Sequence, residues 1–107
     1  MIQYGSTDVH ELLFASMRAS IELRDRQWID VEIQFELDWE NGAALPDDVT
    51  ELSALLICTY NGEIAQIVPQ DEGRDCEFQF TESEKAQLRH YYEQSVKNQL
   101  LHKVEHA

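Results

Sequence analysis

From Ile29 to Trp39 apolar and polar side chains alternate without a break. Ile29, Val31, Ile33, Phe35, Leu37 and Trp39 take one parity, and Asp30, Glu32, Gln34, Glu36 and Asp38 take the other. A strict period of two predicts a strand with one buried face and one wet face. The wet face would carry four acids and one amide. By the same parity Trp39 points inward, while Trp28, just before the strand, points outward.

On either side of this strand the pattern changes. Over Asp8–Arg26, at helical spacing, Val9, Leu12, Leu13, Ser16, Ser20 and Leu23 lie opposite an arc of Glu11, Ala15, Arg18, Glu22, Asp25 and Arg26, with Phe14, Met17 and Ile21 widening the apolar side. Asp8 with Glu11 three residues later reads as a box-like helix start, so a helix is predicted over Asp8–Arg26. Asn41-Gly42 opens a loop that runs to Asp48. Two apolar runs, Ser53–Tyr60 and Glu63–Val68, meet at Asn61-Gly62, the pair best suited to a tight hairpin. Leu55 to Cys58 is continuously apolar, which predicts a central strand covered on both faces.

Pro69 is expected to end this hairpin, with Gln70 to Arg74 as a charged turn. Asp75–Phe80 alternates again, placing Cys76, Phe78 and Phe80 inside and Asp75, Glu77 and Gln79 outside. Thr81-Glu82-Ser83-Glu84 is a capping box, and Leu88, Tyr92, Val96 and Leu100 then recur every four residues, predicting a long second helix. The fold expected is α+β, as one domain over residues 1–107. It has an N-terminal helix, a four-stranded mainly antiparallel sheet and a C-terminal helix, with both helices packed on one face of the sheet.

Charge alters this picture more than composition does. Hydrophobic residues make up 43% of the chain, an ordinary globular share, but the formal net charge is -13. Between Arg26 and Arg74 there is no lysine, arginine or histidine, whereas eleven carboxylates fall in that stretch. Such a one-sided block generates a strong local negative field. It disfavours direct contact with nucleic acid or with an anionic membrane surface, both of which need a basic footprint. No apolar run approaches a bilayer span, and no signal-peptide pattern opens the chain. With only Cys58 and Cys76 and no export signal, a cytoplasmic protein with reduced thiols is expected.

Motifs for catalysis are missing. His10 and His90 have no identifiable nucleophile partner, and the four isolated glycines form no phosphate loop. Asp47-Asp48 with Glu51, and Asp71-Glu72 with Asp75, lack the spacing of a calcium loop, while His102 and His106 lack the order of a zinc helix. Neither a metal nor a cofactor is therefore expected, and the chain reads as a non-enzyme.

The function expected is that of a small acidic protein-binding module, an inhibitor or nucleic-acid mimic that occupies a basic site on a partner protein. Asp30, Glu32, Glu36 and Asp38, extended across the sheet by Asp75 and Glu77, would present the charge, and Trp28 would supply an aromatic anchor. Carboxylates at i and i+2 of a strand stand about 7 Å apart, comparable with the pitch of a phosphate backbone. The alternatives are a self-associating structural subunit, suggested by Leu100, Leu101 and Val104 or by a bare strand edge, and a small enzyme or ligand-binding domain.

Overall fold

A computed structural model describes residues 1–5 and 7–107. Among them the chain runs through β1 (Ile2–Gln3), β2 (Phe14–Leu23), β3 (Ile29–Leu37), β4 (Leu52–Cys58), β5 (Ile64–Asp71), β6 (Arg74–Asp75) and β7 (Phe78–Gln79). A continuous helical stretch follows, made of α1 (Glu82–Tyr91), a π-helical turn at Tyr92–Val96, and α2 (Lys97–Glu105). Strands β2 to β6 form an antiparallel sheet in sequential order, and β1 pairs with β7 in a separate ribbon.

The architecture is α+β, but two parts of the expected fold are overturned. Among the described residues there is no N-terminal helix, and the main sheet has five strands instead of four. The Asp8–Arg26 segment carries two periods at once. Leu12, Leu13, Met17 and Ile21 suit a helix, yet Met17, Ala19, Ile21 and Leu23 also alternate with Arg18, Ser20 and Glu22. The strand pattern prevails because β3 has two edges. One pairs with β4 from Ile29 to Gln34, and the other pairs with β2 along its whole length. A helix in place of β2 would leave that second edge's backbone groups without ladder partners. Glu11, expected to box with Asp8, instead accepts a hydrogen bond from the Thr81 hydroxyl at 2.8 Å.

Smaller corrections concern strand ends. β3 stops at Leu37, so Trp39 leaves the pleat and is 62% exposed instead of pointing inward. β5 continues through Pro69 to Asp71. Its outer neighbour β6 pairs only at Gln70 and Asp71, so the proline meets no ladder partner on that side. The expected strand at Asp75–Phe80 divides between β6 and β7, although the alternation of its side chains is as expected: Phe78 and Phe80 are buried, Cys76 is half-buried, and Asp75, Glu77 and Gln79 are exposed. The Asn61-Gly62 turn does join β4 to β5. Gly62 sits at φ +83°, and its carbonyl accepts the Tyr92 hydroxyl at 2.7 Å.

The helix lies against the odd-numbered side chains of β3 and the even-numbered ones of β4. Ile29, Val31, Ile33, Ala54, Leu56 and Cys58 are buried there with Leu88, Tyr92, Val96 and Leu100. A row spaced by exactly four residues drifts about 40° per step around an α-helix. Opening one wider π turn at Tyr92–Val96 offsets that drift, so the whole row remains buried.

Glu84 ties the N-terminal segment to this helix. Its carboxylate is fully buried, caps α1 by accepting the Thr81 N–H at 2.8 Å, and accepts the Leu12 N–H at 2.8 Å. It also pairs with the Met1 ammonium at 2.5 Å. One turn on, Gln87 receives the Phe14 N–H at 3.0 Å and donates to the Leu12 carbonyl at 2.9 Å. Removing the Glu84 carboxylate would strand several buried donors at once. Glu84→Ala is therefore expected to cost about 3–5 kcal/mol, lowering Tm by more than about 10 °C in a domain of this size. Thermal unfolding followed by circular dichroism checks this.

Candidate functional site: the open face of the sheet

From Ser16 onward, past the bulge that turns Phe14 toward the core, even-numbered residues of β2 and β3 and odd-numbered residues of β4 point away from the helix. Their register sets Glu22 beside Asp30, and Asp30 beside Ile57. The next row holds Ser20, Glu32, Leu55 and Val68, and the row after that Arg18, Gln34, Ser53 and Gln70. The two halves of this face differ in chemistry. Toward β2 and β3 it is acidic, with Glu22 and Glu36 exposed and Asp30 and Glu32 half-buried. Toward β4 and β5 it is apolar, with Leu55, Ile57 and Val68 half-buried instead of covered on both faces as expected for β4. This apolar half borders a cavity of about 460 Å³ that Tyr4, Arg24, Asp75, Phe80 and Lys85 of α1 also line.

The residues proposed from sequence separate into four groups. Asp30, Glu32 and Glu36 do share one face of β3. Asp38 lies past the strand end and serves its own turn, accepting the N–H groups of Glu40 at 3.1 Å and Asn41 at 3.2 Å and the Asn41 side chain at 3.0 Å. Asp75 is on β6, three strand steps from β3 and so roughly 14 Å away across the ladder. Glu77 lies between β6 and β7. Asp75 and Glu77 therefore do not extend the β3 row directly. Trp28 is half-buried beside the β2–β3 turn, where its N–H donates to Asp25 at 2.7 Å.

Electrostatics here departs from the linear sequence. The stretch without bases is flanked in space by bases from β2 and its turn. Arg24 grips Asp30 at 2.5 and 3.0 Å through two guanidinium nitrogens, and Arg18 donates to Gln34 at 3.0 Å. This relieves the Glu22–Asp30 apposition, in which like charges directly opposite would be unfavourable. The unneutralised acids of the face are then Glu22, Glu32 and Glu36, with Arg18 among them. Arg18, Arg24, Glu22 and the Leu55–Ile57–Val68 patch escaped the sequence reading, because the first three depend on knowing that Phe14–Leu23 is a strand. The apolar patch has a readable signal in the continuous Leu55–Cys58 run, which by itself reads as a strand covered on both faces.

At the end of β3 a second feature opens. The β3–β4 ladder stops at Gln34–Ser53, whereas β2 accompanies β3 to Leu37. Between the diverging strands lies a cavity of about 420 Å³ lined by Phe35, Leu37, Trp39, Leu45 and Leu52, with Glu36 and Glu51 at its walls. The long loop beyond it is held to β5 by Asp71, which accepts the N–H groups of Glu51 at 2.8 Å and Thr50 at 3.2 Å.

The remaining candidate chemistry resolves into structure. Burial pushes the Cys58 and Cys76 thiols up, away from the thiolate form a nucleophile requires. The His106 ring sits 2.8 Å from the His102 carbonyl and stacks on the His102 ring at 4.1 Å. Among the described residues no three His, Cys, Asp or Glu side chains converge to hold a metal ion, and no helix is long and apolar enough to cross a membrane. No family model, no curated protein sequence and no solved structure matches the chain.

Asp38 offers a pH test of the turn that frames this cavity. The Asn41 side chain and the N–H groups around it hold its carboxyl below the ordinary 3.8. A depressed carboxyl pKa stabilises the fold above the unfolded pKa, and that contribution is lost as pH falls through the folded value. Asp38→Ala is expected to lower Tm at neutral pH. The gap from wild type should stay constant down to about pH 4 and then close, as read from melting curves across the acid range.

Proposed function

We propose that this is a small, non-enzymatic cytoplasmic protein that binds a basic partner protein through the open sheet face, in the manner of an inhibitor or nucleic-acid mimic. The observation that carries the reading is the pairing of a half-exposed apolar patch with an acidic border on one face of the sheet. Leu55, Ile57 and Val68 have the half-exposed apolar character of an interface centre. Glu22, Glu32 and Glu36 beside them favour lysine and arginine across the interface. In such a division the apolar centre supplies most of the affinity, and the acids supply encounter rate and selectivity. With a net charge of -13 the molecule repels nucleic acid and anionic membranes, so both the steering and the selection favour basic proteins.

Two sequence-based contributors change role. Trp39 replaces Trp28 as the better aromatic anchor, because it is 62% exposed and borders the cavity that Glu36 also lines. Asp38 acts through that same turn and not as a free charge. The Leu100, Leu101 and Val104 argument for self-association loses its basis, since Leu100 is buried and the other two pack against the core.

The test is affinity capture from a native lysate at low and high salt, with duplex DNA added as competitor. Wild-type protein is expected to retain basic, nucleic-acid-binding proteins at low salt and to release them to DNA. Glu32→Lys with Glu36→Lys should abolish this retention, and Leu55→Asp should weaken it at every salt concentration. Capture of the same proteins with the same salt response by the charge-reversed variant would overturn the reading.

A further inference from the structure

β2 is the outermost strand of the sheet, and among the described residues no strand pairs with its far side, where only the Phe14 N–H is taken up, by Gln87. Bare strands of this kind are usually blunted by a proline, a bulge in mid-strand, charged side chains or a covering segment, because their free N–H and C=O groups template further pairing. The two charges on β2, Arg18 and Glu22, are of opposite sign and so can complement a second copy. At the other side of the sheet, β5 is interrupted by Pro69 and capped by β6. β2 has neither device: its one irregularity lies between Phe14 and Ser16, leaving Ser16–Leu23 regular. Beside it runs a groove of about 600 Å³, floored by Ala19, Ile21 and Leu23 and walled by Gln99, His102 and Lys103 of α2.

We propose that this edge pairs with the β2 of a second copy, joining two sheets into one continuous antiparallel sheet. The residues on β2 select both the partner and the register. Opposed residues in an antiparallel pair point to the same side, so the two copies must match parity to keep apolar side chains together. A dyad through Arg18 would oppose it to itself, and a dyad through Glu22 would do the same for that acid. With the dyad at Ser20, Arg18 of each copy faces Glu22 of the other, giving two cross-strand ion pairs on the open face. On the helix side the same register sets Ala19 against Ile21 and Met17 against Leu23, extending each groove floor with apolar residues from the other copy. Cross-strand pairs of both kinds favour pairing.

Charge supports this edge over the rest of the surface. Two molecules of net charge -13 repel, so association needs a site where the field is weakest. Of the eight lysines and arginines, Arg18 is on β2, Arg24 and Arg26 are in the turn after it, and Lys103 lines its groove. A dyad perpendicular to the sheet keeps both helices on one side and both open faces on the other. This pairing takes Glu22 out of the acidic border of the open face and leaves Glu32 and Glu36 in it.

Sedimentation equilibrium of the full chain tests it. Wild type is expected at twice 12.5 kDa, whereas Arg18→Glu and Glu22→Arg alone each give a monomer, because each opposes like charges. The double variant Arg18→Glu with Glu22→Arg restores the dimer, which damage to the fold cannot mimic. In a Cys76→Ser background, Ser20→Cys should form an oxidised covalent dimer and Ser16→Cys should not. A wild type that stays monomeric at high concentration overturns the proposal. So does a dimer insensitive to both single charge changes, or one cross-linked through position 16 in preference to 20.

Discussion

The buried carboxylate of Glu84 is the contact on which the arrangement of the chain depends. A charge removed from water is tolerated only where its lone pairs are filled, and here the donors come from three separate segments: Met1, Leu12 and Thr81. The same group that caps the helix thus fixes where the N-terminal segment crosses it. Because Leu12 and Phe14 are pinned to α1 through Glu84 and Gln87, β2 begins at a defined height against β3. Its register then follows, and with it the side of the sheet on which Arg18 and Glu22 emerge.

That placement reorganises the electrostatics. In the linear chain the acids from Asp30 to Glu72 stand apart from every base, but antiparallel pairing returns Arg18 and Arg24 to their side. Several acids also have local duties that take them out of any interaction surface. Asp25 accepts the Gln27 and Trp28 N–H groups, Asp38 closes the turn after β3, and Asp71 fastens the long loop. What remains on the open face is a smaller acidic border beside an apolar patch, not a uniform negative sheet.

Much of the fold was legible in short-range chemistry. The period of Ile29 to Leu37, the Asn61-Gly62 turn and the Thr81–Glu84 capping box each encode their structure within a few residues, and each appears where expected. The Phe14–Leu23 segment was not legible, because both periods fit it and only the unpaired edge of β3 decides between them. Trp39 was misplaced for a related reason. Alternation continues in the sequence beyond Leu37, but Asp38 bends the backbone by capping N–H groups two and three residues ahead. The common face of Asp30, Glu32 and Glu36 was legible from their parity, whereas the placement of Asp75 and Glu77 needed strand order, which sets them away from β3.

The two tryptophans consequently differ in a way that serves spectroscopy. Trp28 precedes β3 and is half-buried at the turn, while Trp39 follows it in solvent beside the cavity between β3 and β4. Indole emission shifts to the red as water reaches the ring, so the chain contains a bluer reporter at one end of a single strand and a redder, quencher-accessible one at the other. Events at the turn and events at the cavity mouth are separable by wavelength without any added label.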